Sequence, residues 1–235
     1  MPKLLVCYKW VLNEQDIKIR PDDLSLDQSR AKGKISDFDR NAIEAASLIV
    51  EQQGGSVDAL SYGTPAVKQS IKDVLSRGPN RLLWVGDASA ETADAYVIAN
   101  VLAAAIRKGE PYDLILCGEG SSDMFYQQIP ARLAALLDLP CLTFVQSMSL
   151  EGGVLSEINK PRIPSLKQVL GAAKKPSEEI PLASLGLAAA DLQPRAVRQV
   201  PKGFLMNRKN VIYKESDAAA NVAKLVASLA AEGLR

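Results

Sequence analysis

Short apolar runs alternate with segments of helical period through the first 140 residues, and few folds accept that pattern. Residues 3–11, 57–62, 81–85 and 112–117 are apolar, brief and bounded by polar or glycine residues, as buried strands are. Between them lie helical repeats. Phe38, Ala42, Ala45, Ala46 and Ile49 follow Ser36 or Asp37 as N-cap and stop at Gly54-Gly55. Pro65 opens a second repeat with Val67, Ile71, Val74 and Leu75, ended by Gly78. A third spans 92–107, with Val97, Val101 and Ala104 on one face. A fourth carries Ile129, Leu133, Leu136 and Leu137 up to Pro140. Residues 142–145 begin a fifth strand-like run. Strands separated by crossover-length helices predict a doubly wound, mostly parallel α/β sheet of Rossmann-like type over roughly residues 1–148. Residues 12–34 are polar and mixed, with a turn at Pro21-Asp22-Asp23.

The most informative stretch runs over residues 112–140, a strand, a glycine loop and a helix start. Gly118 and Gly120 come directly after the strand, then Ser121, Ser122 and Asp123, and Pro130 suits the first helical turn. Such a loop can present free backbone N–H groups and a positive dipole end to a phosphate. No Gly-Lys-Ser/Thr follows, and Asp123 stands where the dinucleotide fingerprint needs glycine. A plain strand-to-helix turn capped by Ser or Asp therefore stays open beside the phosphate reading. In open α/β sheets ligands bind beyond the carboxyl ends of the strands, so the loops after residues 10, 35, 62 and 117 are expected to converge.

The chain of 235 residues contains no histidine. That excludes Ser-His-Asp and Cys-His catalysis and histidine metal sites, and favours a binding or carrier protein. Cys7, Cys117 and Cys141 form no Cys-x-x-Cys pair and lie in or beside apolar runs, which reads as buried thiols. A formal net charge of +1 gives no reason to expect nucleic acid or an anionic membrane. No 18-residue apolar run occurs, and Met1-Pro2-Lys3 leads directly into a strand, so neither membrane insertion nor a signal peptide is expected and the location is expected to be cytoplasmic.

The charge is unevenly placed. Residues 159–214 hold eleven Lys and Arg against Glu178, Glu179 and Asp191, a local +8 on an otherwise acidic chain. A basic, proline-punctuated arm of this kind is expected to meet another molecule. Three regions are therefore expected: an α/β core over 1–155, a basic arm over 156–215 and a C-terminal helix over 216–235, with Val222, Leu225, Val226 and Leu229 facing inward.

Several segments, in order, make the chain resemble the small (β) subunit of electron-transfer flavoproteins, closest to the FixA-like branch. They are KLLVCYKWV at the start, ISDFDRNAIEAA at 35–46, SYGTPA at 61–66, DVLSRGPN at 73–80, LILCGEGSSDMFYQQ at 114–128 and PRIPSLKQVLGAAKKP at 161–176. The resemblance implies a heterodimer whose large (α) subunit holds the electron-carrying FAD. It implies AMP, or a second FAD, in a pocket of the small subunit itself. By position, that pocket takes in Cys7, Ser36, Asp37, Phe38, Asp39 and Tyr62, then Gly120, Ser121, Ser122, Asp123, Met124, Phe125, Gln127, Gln128, Ile129 and Pro130. It also implies a partner-recognition loop at 161–175, with Leu166 at the anchoring position and Val169, Leu170, Lys174 and Lys175 around it. The partners implied are the large subunit and a flavin dehydrogenase or quinone-linked oxidoreductase. The role is electron carriage between a donor and a quinone- or ferredoxin-linked acceptor, without bond chemistry of its own.

Two departures stand out. Many relatives have a more Asp-rich pocket loop with Gly where Pro130 stands, and the family carries a further stretch with a strand pair between Leu155 and Ser156. Two readings from other classes compete. One is a stand-alone nucleotide-binding regulator of the universal-stress type, which has little reason to keep the basic arm. The other is a small hydrolase or transferase using Asp123 and Lys9, which the lack of histidine disfavours.

Overall fold

Leu4, Leu5, Val6 and Cys7 carry apolar side chains on both faces of one strand, so that strand must lie inside a sheet covered on both sides. The computed structural model, which describes residues 1–146, 148–150, 153–155, 161–204 and 209–234, places them so. They belong to β1 (Lys3–Cys7), in which Leu4, Leu5 and Val6 are wholly buried.

Short pieces follow: β2 (Trp10–Leu12), β3 (Lys18–Ile19), β4 (Leu26–Asp27) and β5 (Gly33–Ile35), with β2 and β5 paired antiparallel. Then come α1 (Asp37–Gln53), β6 (Ser56–Gly63), α2 (Ile71–Ser76), β7 (Arg81–Gly86), α3 (Ala95–Lys108), β8 (Leu114–Cys117) and α4 (Ile129–Leu137). An antiparallel pair, β9 (Met148–Leu150) and β10 (Gly153–Leu155), precedes α5 (Leu166–Ala172), β11 (Ser177–Glu179) and α6 (Ala218–Ala231).

Five strands form one parallel sheet in the order β11-β7-β6-β1-β8. Alternation along β1 divides the core. Leu4, Val6 and Tyr8 pack with Ile43, Ala46 and Ile49 of α1 and Val74 and Leu75 of α2. Leu5 and Cys7 face the other way, with Val97, Val101 and Leu102 of α3 and Leu133 of α4. This is the doubly wound, Rossmann-like α/β fold that the alternating pattern predicts.

Two compact units result. One comprises Met1–Lys18 and Leu26–Pro201, the other Ile19–Ser25 and Lys202–Arg235. The stretch 156–215, expected as a single arm, thus divides between them. Its first part supplies α5 and the edge strand β11 to the sheet unit. In the second unit Asp217 caps α6 by accepting from the N–H groups of Ala219 and Ala220, and Lys209 pairs with Glu232 at 2.6 Å.

Four expectations need correction. Cys141, expected as a buried thiol, is exposed. Residues 142–145 form no strand; Leu142, Phe144 and Val145 are exposed, and the fifth strand of the sheet is the polar segment Ser177–Glu179. An apolar tetrapeptide shows only that a surface wants cover, whereas an edge strand can be polar because backbone pairing alone fixes it. The helix expected over 92–107 starts at Ala95, because Asp94 is its N-cap and accepts the Val97 N–H. The apolar stripe of α6 does not face inward: Val222, Leu225, Val226 and Leu229 are all exposed, Leu225 by 47%. Helical period marks the face that needs burial but not which chain buries it. The Leu155–Ser156 junction and Lys160 lie outside the described residues.

Candidate functional site

The chain leaves β1 towards β6 on one side of the sheet and later returns to place β8 on the other. That reversal opens a crevice at the carboxyl ends of β1 and β8, where ligands bind in such sheets. A cleft open to solvent lies there. Its wall takes Cys7, Tyr8 and Lys9 from the end of β1, Tyr62 from β6, and residues 117–121 after β8. Ile98 and Leu102 of α3, Tyr126, Gln127, Ile129 and Pro130 complete it.

Asp39 ties the site together from the first turn of α1. Its side chain is buried, and Oδ2 accepts the Lys9 N–H at 2.9 Å while Oδ1 accepts the Gly118 N–H at 3.2 Å. The residue order here is forced. A side chain at position 118 would lie 2.9 Å from the Asp39 backbone nitrogen, so only glycine fits. Ser36 is wholly buried at the N-cap position, yet its hydroxyl does not cap α1; it accepts the Ser122 N–H at 3.3 Å. The start of α1 therefore serves as a template for the loop after β8.

The loop itself is strained. Phe125 and Gln127 have φ of 48° and 54°, in the left-handed region that non-glycine residues rarely occupy. Such strain costs about 1–3 kcal/mol per residue and concentrates at ligand sites. It is held by Phe38 stacking on Phe125 at 5.3 Å, by Gln127 donating to Glu119 at 2.6 Å, and by Lys9 pairing with Asp123 at 2.7 Å. The loop runs into α4, whose N-cap Gln128 makes no side-chain capping bond, and Pro130 lies in the first turn. The N-terminal N–H groups of α4 are thus left for water or a ligand.

Burial pushes the Asp39 carboxyl up to about 7, against the hydrogen bonds from Lys9, Gly118 and Ser36. Desolvation also opposes charge on Asp123, but the Lys9 ammonium and its hydrogen bond hold that carboxyl below the usual range. Cys7 and Cys117 stand opposite each other in register on β1 and β8. A hydrogen bond with Cys7, and then burial, push the Cys117 thiol well up, so it offers no thiolate at neutral pH. Burial raises Tyr62 and Tyr8 as well. The cleft thus combines apolar walls, the Lys9 cation and the uncapped start of α4. Among the described residues no cluster of acidic or cysteine side chains could hold a metal ion.

Of the expected pocket residues, the cleft brings together Cys7, Asp39, Tyr62, Gly120, Ser121, Gln127, Ile129 and Pro130. Ser36, Phe38, Ser122, Asp123 and Phe125 support it from behind, through the contacts above. Asp37 is spent on ion pairs with Lys34 and Arg40. Met124 and Gln128 do not line the cleft; Gln128 accepts from Arg132 along α4. Lys9 and Glu119 lie outside the expected pocket, although the strand-end rule applied at Cys7 and Cys117 points to them. Ile98 and Leu102 carry no signal beyond an apolar helix face.

At the expected partner loop, Ser165 caps α5 in a reciprocal capping box with Gln168. Leu166 is 74% exposed, Leu170 and Lys174 are exposed, and Val169 is half-buried. Lys175 turns inward instead, donating to the carbonyls of Leu75, Gly78 and Pro79 at 2.8, 3.1 and 2.7 Å. Arg162 is held by Glu44 and Glu51 of α1. No helix among the described residues is long and apolar enough to cross a membrane. The family model described as an electron transfer flavoprotein domain matches residues 23–161, more than half of the chain.

Proposed function

The chain belongs to the electron transfer flavoprotein family, and we propose that it is the small subunit of a FixA-like, heterodimeric member. In this reading it helps hold FAD against the large subunit and carries an adenine nucleotide, AMP or a second FAD, in its own cleft. It passes electrons between a flavin dehydrogenase or other donor and a quinone- or ferredoxin-linked acceptor in the cytoplasm, and catalyses no bond chemistry itself. The family match disfavours the regulator and hydrolase readings.

The observation that carries the nucleotide reading is the cleft at the switch point of the sheet, closed by a strained glycine loop that ends at an uncapped helix start. The residues fit the group. A side chain at Gly120 would meet the Phe125 ring at 2.8 Å, so the loop keeps that place clear, and the Ser122 hydroxyl is buried in it without a partner among the described residues. Backbone N–H groups of residues 119–121 and of the first turn of α4 would hold a phosphate, with Lys9 beside them. Tyr62, Tyr126, Ile98 and Leu102 would enclose the base. When bound, FAD supplies the redox centre; this chain's residues bind, orient and exclude water.

The partner reading rests on the exposed stripe of α6. Co-expression with the large subunit tests both. The complex is expected to co-purify and to release an adenine nucleotide on denaturation. Leu225→Asp is expected to abolish co-purification while leaving the chain's own melting temperature unchanged. Co-purification that survives Leu225→Asp overturns the interface, and a complex without adenine nucleotide beyond the large subunit's FAD overturns the cleft.

A further inference from the structure

Asp39 lies at the cleft, yet both its oxygens are committed to backbone N–H groups of the protein, one on each strand-end loop. We propose that Asp39 is the positioning residue of the cleft: as a carboxylate it fixes the loop after β1 against the loop after β8, and on protonation it releases one of them, so that ligand retention rises with pH. The proposal rests on the nucleotide reading of this cleft.

The geometry fits the carboxylate alone. An ionised carboxyl is an acceptor at both oxygens, whereas the acid turns one oxygen into an O–H donor. In the acid form the protonated oxygen is a poorer acceptor and carries a donor of its own, so the tie to the Lys9 or the Gly118 N–H would be weakened. These two strand ends and the loops after them supply Cys7 to Lys9 and Cys117 to Ser121 to the cleft wall. Ser36, at the N-cap of α1, accepts the Ser122 N–H and bonds Asp39 itself, and neither bond replaces the tie at Gly118. A carboxyl pushed up to about 7 by burial makes the change in the neutral range.

The groups facing Asp39 do not provide the same switch. From the β1 side come the Lys9 ammonium, itself paired with Asp123, and the Tyr8 hydroxyl, which burial keeps neutral. From β8 comes the Cys117 thiol, pushed up and hydrogen-bonded with Cys7. From α1 comes the Ser36 hydroxyl. The negative charge of Asp39 also opposes a phosphate, a term of the opposite sign, and the Lys9 ammonium, whose charge acts on Asp39, partly offsets it.

The test uses the complete complex, AMP as the probe, and Asp39→Asn. The asparagine keeps one acceptor and presents an amide NH₂ to the other N–H. From about pH 6 to about pH 8 the wild-type affinity for AMP is expected to rise on the order of tenfold more than that of the variant, as for loss of one hydrogen bond to a charged group. Titration of AMP itself is common to both proteins and cancels. Parallel profiles, or wild-type affinity that falls with pH relative to the variant, overturn the proposal. A second measurement needs no nucleotide. Amide exchange at Lys9 and Gly118 of the wild type, corrected for intrinsic rate, is expected to slow at the higher pH; equal protection at both overturns the tie. If AMP fails to bind at any pH while that exchange difference is seen, the nucleotide reading is wrong and the role of Asp39 as a tie stands.

Discussion

The Lys9 ammonium lies 2.7 Å from the Asp123 carboxylate, joining the end of β1 to the glycine loop after β8. The pair is one-third exposed on each side, so salt and water weaken it, and its worth to global stability is under about 1 kcal/mol. Its effect is local, because the strained residues Phe125 and Gln127 lie two and four positions after Asp123. Lys9→Met is expected to weaken AMP binding severalfold at low salt and to leave the denaturant midpoint nearly unchanged. Calorimetric titration and chemical denaturation, run side by side, check it. Unaltered affinity with a clear loss of stability would make the pair structural.

Much of this architecture is legible in the residues. Leu4 to Cys7 is apolar on both faces, which only a doubly covered strand tolerates, and Gly118 directly after Leu114–Cys117 marks a tight strand-to-helix passage. What is not legible depends on partners distant in sequence. Ser177–Glu179 has no apolar signature because pairing with β7 is all that makes it a strand. Asp39 reads as a ligand residue, and only the register of β1 with β8 shows that its carboxylate binds the two strand ends. Lys175 reads as a docking charge, whereas the carbonyls that claim it lie about a hundred residues earlier.

Asp39 also makes stability depend on pH, with the opposite sign to its local effect. Its carboxyl has an ordinary value of 3.8 and is raised to about 7 in the folded chain by burial. Between those values the folded state holds a proton that the unfolded state has released, so stability falls as pH rises through the window and levels off above it. The fall is expected to be about 1–4 kcal/mol. Denaturation midpoints measured from about pH 4 to about pH 8 check it, and Asp39→Asn is expected to flatten this part of the profile. Acidification should therefore strengthen the fold while loosening the cleft, a divergence that a general acid effect on the protein would not produce.

Lys175 satisfies the carbonyl of Leu75 in the last turn of α2 and those of Gly78 and Pro79 just beyond it, where a cation also meets the negative end of the helix dipole. Lys175→Met removes all three bonds and leaves half-buried acceptors behind. The expected cost is about 1–3 kcal/mol of unfolding free energy. Electron transfer to a partner, measured below the lowered melting temperature, should be unchanged. A variant with wild-type stability but slower transfer would return Lys175 to the docking surface.

Leu166 opens α5 behind the Ser165 capping box, and it is 74% exposed. The segment before it is anchored: Arg162 is gripped by Glu44 and Glu51 of α1, with its two Glu51 contacts at 2.9 and 3.0 Å. An apolar side chain held outward by an anchored, capped turn has the anatomy of a docking residue, and Leu170 and the half-buried Val169 extend the same patch. Lys167 and Lys174 remain exposed beside it and can steer an acidic partner, which makes encounter salt-sensitive. Because so little of Leu166 is buried, Leu166→Ala should alter stability by no more than about 0.5 kcal/mol. If it is a docking anchor, truncation should cost about 2 kcal/mol of partner affinity. Steady-state transfer from a flavin dehydrogenase, titrated against this complex, should then show a raised KM with flavin content unaffected. A lowered melting temperature with unchanged KM would mean that Leu166 serves the fold and not the partner.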